Sequence, residues 1–170
     1  MDLESTVREL FRHALEELLN HYGGSEQLEL ADSCSRNAYD LCAVIGLADR
    51  DFRATIGVNA TKACVRTLMP ASQDDYPDWL GELSNQLAGR FKNKLAELGL
   101  RPRLSTPAVI AGQELETLRT GSGIQASECI VAKYSEGEFL ASLQLELDSE
   151  LEIKASEATE VAGEGSLELF

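Results

Sequence analysis

The sequence is poor in the residues from which metal centres and nucleophilic sites are built. Its 170 residues include two histidines and four cysteines, and no two cysteines form a CxxC pair. Since metal sites need closely spaced ligands, this scarcity argues against a metal centre. We expect no metal site and no cofactor of the protein's own, and reduced, mostly buried thiols at the four cysteines, Cys34, Cys42, Cys64 and Cys129.

Long apolar runs and positive charge are also scarce. No run approaches the ~20 apolar residues that a membrane-spanning helix requires. The N-terminal MDLESTVRELF is charged where a signal peptide would be basic and then apolar. Lys and Arg number 15 against 29 Asp and Glu, a formal net charge of −14. Such a surface repels nucleic-acid phosphates, so we expect no binding to nucleic acid and a partner that is a protein or a small molecule. From the apolar runs and the N-terminal pattern we expect a cytoplasmic protein that does not bind a membrane.

The spacing of apolar residues predicts the elements of the first half of the chain. A repeat of three to four residues over 3–22 predicts a first helix, which two glycines end. Alternation of apolar and polar residues predicts a hairpin from strands over 41–47 and 52–58. A short helix follows, capped by Asn59 and ending at Met69.

The second half continues this mixture of helix and strand. A long amphipathic helix is predicted over 74–98. An extended segment then runs to Gly112, and a polar, irregular crossing covers 113–123. Strands over 124–134 and 139–147 form a second hairpin.

Helices and antiparallel hairpins in this order predict an α+β fold, with helices packed on an antiparallel sheet. A weaker strand is predicted around 28–32. We predict one domain over 1–147. Residues 148–170 contain seven acidic residues and one lysine, which predicts an acidic, flexible C-terminal tail.

The helix over 74–98 carries two polar side chains at its centre. At about 100° per residue its apolar residues form the single stripe that a helix packed on a core needs. Glu82 and Asn85, three residues apart, project nearly opposite this stripe and should face solvent. The stripe consists of Leu80, Leu83, Leu87, Phe91, Leu95 and Leu98.

The start of this helix and its small residues indicate a partner that approaches closely. Two aspartates offer caps and a proline follows in the first turn, DDYP from 74 to 77. Small residues surround the polar pair, although each exposed glycine costs a helix up to ~1 kcal/mol. We therefore predict that Gly81 and Gly89 contribute to binding.

A glutamate and an asparagine on one exposed helical face can position a reactant. The carboxylate can pair with a lysine, and the amide can hold a water through its donor and acceptor groups. Hydrolysis of a phosphoryl group needs little beyond alignment and charge neutralisation. The spacing alone is weak, since ExxN occurs by chance about once in a few hundred residues. Glu17 and Asn20 repeat it in the first helix, without the small neighbours.

The sequence around the pair resembles a known family. The segment GELSNQLAGRFKNKLAELG, followed some twenty residues later by STPAVIAG, is similar to the CheX branch of the CheC, CheX and FliY chemotaxis phosphatases. Their signature is an Asp or Ser, then Glu, then Asn, then a distant proline. Asp78, Glu82, Asn85 and Pro107 match it. The resemblance extends more loosely over 1–147.

This resemblance implies a CheC-like fold and dephosphorylation of the phosphoaspartate of a CheY-type response regulator. It implies that Asn85 orients the attacking water, that Glu82 contacts the regulator's active-site lysine, and that Asp78 contributes to binding. The Mg²⁺ of the reaction would be held by the regulator. The resemblance also implies the single-site branch of the family and a homodimer joined through the sheets.

Two other interpretations stay open at the level of sequence. The chain could be a non-catalytic module of the same fold, which docks on a regulator without accelerating hydrolysis. It could also be a dimerisation domain whose acidic tail recruits a basic partner. Loss of hydrolysis in Asn85→Ala would favour the phosphatase, whereas loss of function on removal of 148–170 would favour the tail.

Overall fold

Three helices cover one face of an antiparallel sheet in the computed structural model, which describes residues 3–23, 29–32, 38–50, 52–115 and 126–147. This arrangement confirms the predicted α+β class. The helices are α1 (Leu3–Tyr22), α2 (Lys62–Leu68) and α3 (Tyr76–Glu97). The strands are β1 (Glu29–Asp32), β2 (Tyr39–Ala48), β3 (Phe52–Ala60), β4 (Arg103–Leu104), β5 (Ala108–Leu115), β6 (Ala126–Tyr134) and β7 (Gly137–Leu147).

The described strands join into one sheet in the order β1-β6-β7-β3-β2-β4, and β5 pairs with β2 as well. Both predicted hairpins are confirmed, with Ile45 opposite Ile56 in the first and Tyr134 opposite Gly137 in the second. The pairing of β3 with β7, from Phe52 to Ala60, unites the two hairpins. At one end of the sheet β2 is bordered by β4 and β5. The helix α3 packs against β2 and β5 at this end.

The core lies between the helices and the sheet. Alternate residues of the central strands point into it, as the period of two predicts. Phe11 of α1 and Phe91 of α3 meet edge to face, with ring centroids 5.4 Å apart, and both are fully buried. Of the predicted α3 stripe, Leu98 is half-buried and the other members are buried, namely Leu80, Leu83, Leu87, Phe91 and Leu95.

The predicted beginning of the short helix is wrong. Asn59 is buried within β3, and Thr61 caps α2 instead, with its hydroxyl accepting from the Cys64 N–H at 3.2 Å. The strand continues past the predicted end because its pairing with β7 extends to Ala60 opposite Phe139. Cross-strand pairing therefore decides this boundary, and a helix-cap residue type alone could not.

Two further expectations need correction. β5 runs to Leu115, so the predicted irregular crossing begins later than residue 113. Cys129 in β6 is disulfide-bonded, so the expectation of a reduced thiol is wrong there, whereas Cys42 and Cys64 carry thiols. The rest of the predicted crossing, 116–123, and the predicted tail, 148–170, lie outside the described residues.

Candidate functional site

Both ends of α3 are defined by capping residues. Asp75 caps the start, and its carboxylate accepts from the Asp78 N–H at 3.0 Å. Pro77 stands in the first turn, where its missing N–H costs no helical hydrogen bond. Gly99 follows the last turn with a φ of 81°, a left-handed conformation that favours glycine and stops the helix.

Glu82 and Asn85 are both exposed on the outer side of α3. Asp78, one turn before Glu82, is exposed as well. The buried stripe of the helix faces the sheet, so the structure places the polar pair on the solvent side, as the helical period predicts. A reactant that meets this pair must come from outside the chain.

The Glu82 carboxylate belongs to a hydrogen-bonded chain that links two helices. Gln86 Nε2 donates to Glu82 Oε1 at 2.9 Å. The Tyr22 hydroxyl, at the end of α1, donates to Gln86 Oε1 at 2.8 Å. Neither partner is predicted above; the spacing of four residues between Glu82 and Gln86 is a usable signal, but Tyr22 is 64 residues from Gln86 and gives none.

The small residues of α3 mostly serve packing. Gly81 is buried, so the expectation of an exposed glycine at this position is wrong, and the nearby Ser84 and Ala88 are buried as well. A Cβ added at Gly81 would lie 3.2 Å from Cγ2 of Val109, which means that the glycine lets β5 approach the helix. Gly89 differs, because a Cβ there would meet nothing within 4 Å. It therefore leaves open space beside the helix.

This close approach brings the sequence-distant proline to the helix. Pro107 is half-buried and directly precedes β5, two residues before the valine that covers Gly81. The segment is anchored on β2, since the Ser105 N–H donates to the Gly46 carbonyl and the Gly46 N–H donates to Ser105 Oγ, each at 2.9 Å. The sheet thus places the Pro107 segment beside the part of α3 that carries the polar pair.

The charge around the N-terminal half of α3 is negative. Two exposed carboxylates directly precede the helix and two lie within its first two turns. Carboxylates near a helix N-terminus interact favourably with the helix dipole, and together they favour a partner that presents positive charge. The four are Asp74, Asp75, Asp78 and Glu82.

The second pair with the same spacing occupies a different setting. Glu17 and Asn20 are exposed on α1. Lys94 of α3 contacts Glu17, with Nζ 2.6 Å from Oε1. Because this carboxylate already pairs with a lysine of its own chain, it supports the packing of α1 on α3 and is less suited to a partner's lysine.

Away from the polar pair, the described residues form a concavity but no cluster of metal ligands. Within the described ranges, no group of three or more His, Cys, Asp or Glu side chains is placed to hold a metal ion. None of the described helices is long and apolar enough to cross a membrane. A concavity of about 460 Å³ lies along β2, β3, β4 and β7, and neither Glu82 nor Asn85 lines it. It is lined by Gly46, Leu47, Ala48, Arg53, Ala54, Thr55, Arg103, Leu104, Ser105, Gln144 and Glu146.

Comparisons with known proteins bear on the segment that contains this site. The model of the family described as chemotaxis phosphatase CheX matches residues 41–131, more than half of the chain. The match runs from within β2 to within β6, and so includes the whole of α3 with the polar pair, and Pro107. A search of curated proteins found no match.

Solved structures with this fold come from several bacteria. A CheC-like superfamily protein from Shewanella sp. PV-4 has 16% identity and a TM-score of 0.71, with 86% of this chain and 99% of that chain covered. CheX from Desulfovibrio desulfuricans has 24% identity and a TM-score of 0.67, with 83% of this chain and 99% of that chain covered. A chain of the CheX–CheY–BeF₃–Mg²⁺ complex from Borrelia burgdorferi has 16% identity and a TM-score of 0.63, with 81% of this chain and 96% of that chain covered. These likenesses establish the CheC-like fold, and since the family model covers more than half of the sequence, the chain belongs to the CheX family of chemotaxis phosphatases.

Proposed function

We propose that the protein is a phosphatase that hydrolyses the phosphoaspartate of a CheY-type response regulator. The observation that carries the proposal is the joint exposure of Glu82 and Asn85 on one face of α3, inside the segment that matches the CheX family. The B. burgdorferi relative, whose structure is a complex of CheX with CheY, BeF₃ and Mg²⁺, supports the choice of partner.

The two side chains divide the work. Asn85 orients the attacking water, since its amide can accept from the water and donate to it. Glu82 pairs with the active-site lysine of the regulator and so fixes the register of the two proteins. Mg²⁺ held by the regulator neutralises the charge that spreads over the phosphoryl oxygens in the transition state. Alignment of one water is then the main contribution of this chain.

The neighbouring residues support docking. Asp78 adds an exposed carboxylate one turn before Glu82, which strengthens attraction to a basic partner surface. Gly89 leaves space for the partner beside the helix. Gly81 acts indirectly, because it sets the distance between α3 and β5 and thereby the position of Pro107.

The decisive experiment follows the loss of phosphate from a phosphorylated CheY-type regulator with and without this protein. We expect faster decay with the wild type and, in Asn85→Ala, a loss on the order of 100-fold or more, as for removal of one catalytic hydrogen-bonding amide elsewhere. Asn85 is exposed, so its replacement should change the free energy of unfolding by less than about 0.5 kcal/mol.

Asn20→Ala provides the matched control. It removes the exposed asparagine of the equivalent Glu-x-x-Asn pair on α1 and should leave the decay rate unchanged. If the regulator binds but decays at its own rate, the protein is a docking module and the phosphatase proposal fails. Removal of 148–170 addresses the third interpretation, because loss of function on this deletion would assign the function to the tail.

We also propose that the protein forms a homodimer through the sheet face that the helices leave uncovered. Val44 and Ile110 are exposed large apolar residues, at 36% and 56%. The register of β2 with β5 pairs Cys42 with Ile110 and Val44 with Ala108, so both apolar side chains lie on this face. Light scattering should give twice the mass of one chain.

The variant Ile110→Lys should reduce that mass to one chain, because a charge in an apolar interface is costly. Gln113→Lys adds the same charge at an exposed position of the same strand and serves as the control. A wild-type protein that stays monomeric at micromolar concentration would refute the dimer and leave the phosphatase proposal intact.

A further inference from the structure

The hydrogen-bonded chain that ends at Glu82 has a fixed direction. The Tyr22 hydroxyl donates to Gln86 Oε1 at 2.8 Å, and Gln86 Nε2 donates to Glu82 Oε1 at 2.9 Å. A primary amide has an acceptor end and a donor end. Because the phenol holds the acceptor end, the donor end of Gln86 is turned toward the carboxylate, and hydrogen bonds in series strengthen one another.

Tyr22 is itself held by the core. Its ring meets the Trp79 ring edge to face, with centroids 5.2 Å apart and an interplanar angle of 85°. Trp79 is 6% exposed and donates its Nε1–H to the Leu68 carbonyl at the end of α2 at 3.2 Å. His21 packs edge to face against Tyr22, with centroids 4.6 Å apart. The phenolic oxygen is therefore positioned by the buried Trp79 of α3, which the Leu68 carbonyl of α2 holds, and by the exposed His21 of α1.

A glutamate on an exposed helix otherwise samples several rotamers. Fixing such a side chain at an interface has an entropic cost, which is avoided if the side chain is held before the partner arrives. Glu82 is exposed, yet its Oε1 is bound by Gln86. Its Oε2 has no hydrogen-bond partner among the described residues. The arrangement restrains the carboxylate and leaves one oxygen for an incoming donor.

We infer that Tyr22 and Gln86 are positioning residues, which orient the Glu82 carboxylate before the lysine of the regulator arrives. This inference rests on the proposed role of Glu82 in contacting that lysine. It assigns a specific task to the packing of the α1 end against α3. It also separates two contributions at the site. Docking depends on the hydrogen-bonded chain from Tyr22 through Gln86 to Glu82, whereas the alignment of water by Asn85 does not depend on it.

The test compares the wild type with Tyr22→Phe and Gln86→Leu. Tyr22→Phe removes the hydroxyl and keeps the ring against Trp79. We expect KM for the phosphorylated regulator to rise about two- to tenfold, the cost of ordering one rotamer-rich side chain on binding. We expect kcat to stay within about twofold, because Asn85 still aligns the water. Tyr76→Phe, which removes a phenolic hydroxyl from the first turn of α3, should change neither constant.

A second readout uses the protein without its partner. NMR relaxation of the Gln86 side-chain Nε2 should show a restrained amide in the wild type and a mobile one, with an order parameter below about 0.6, in Tyr22→Phe. A fall in kcat together with a lower Tm would indicate a merely structural role and overturn the inference. Unchanged KM with an unchanged amide would also overturn it.

The two proposals fail in different ways. If the wild type accelerates hydrolysis and Asn85→Ala does not, while Tyr22→Phe behaves as the wild type, the phosphatase stands and the positioning role falls. If the wild type hydrolyses no regulator, the phosphatase fails. The affinity of the variants for a regulator activated with BeF₃ and Mg²⁺ then decides the positioning role, which requires weaker binding in Tyr22→Phe than in Tyr76→Phe.

Discussion

Alanine at Gly81 and alanine at Gly89 should affect stability differently, although both substitutions lie within α3. Each replaces a helical glycine and should gain up to about 1 kcal/mol from helix propensity. At Gly89 the new methyl group meets nothing within 4 Å, so the gain should be realised. At Gly81 it would stand 3.2 Å from Val109 Cγ2, closer than ordinary contact.

The close contact at Gly81 sets the size of the difference. Overpacking a well-packed site costs about 1–3 kcal/mol, which cancels or exceeds the propensity gain. We therefore expect Gly81→Ala to be less stable than Gly89→Ala by about 1–3 kcal/mol. For a chain of this length each kcal/mol corresponds to about 2–4 °C in Tm.

Chemical denaturation followed by tryptophan fluorescence measures this difference directly. Trp79 is the single tryptophan of the chain and is buried, so its emission reports unfolding of the core around α3. Equal stabilisation by the two substitutions would refute the argument that Gly81 exists to admit β5. In the same samples, Gly89→Ala should weaken binding of the regulator without loss of stability if the partner uses the open space there.

Three further predictions address the core, an ion pair and the tail. Phe91→Ala should lower the free energy of unfolding by about 3–5 kcal/mol, since it leaves a cavity against Phe11; a loss below about 1 kcal/mol in urea denaturation would contradict this packing. Arg12→Met should lower the free energy of unfolding by about 1–2 kcal/mol. Arg12 pairs with Glu128 at 3.1 Å, but its side chain is 28% exposed, so the loss should be smaller than for a fully buried pair. Denaturation at two salt concentrations should show that the loss shrinks as salt increases. Deletion of 148–170 should leave the decay rate of a phosphorylated regulator unchanged, and a slower decay would show that the tail takes part.

Local periodicity determined the exposed face of α3 and the two hairpins. The repeat of α3 buries one stripe of side chains and thereby exposes Glu82 and Asn85, because residues three and four apart lie on one side of a helix. Alternation likewise predicted both hairpins, since a strand presents every second residue to the core. These features depend on neighbours within a few residues, so the sequence alone contains them.

The boundary between β3 and α2 depends on contacts outside the local sequence. Asn59 has the residue type of a helix cap, which predicts a helix start there, but pairing with β7 keeps it in the strand. The helix begins after Thr61, which performs the capping. The length of a strand depends on its partner strand, and the partner lies about eighty residues further along the chain.

The tertiary structure alone decided what surrounds the polar pair. Nothing local to α3 indicates that Val109 covers Gly81 or that Tyr22 orients Gln86 and, through it, Glu82. These contacts join elements that are distant in the chain and meet only when the helices pack on the sheet. A helical period fixes which side of α3 is exposed; which groups stand beside that side depends on how separate elements share one core.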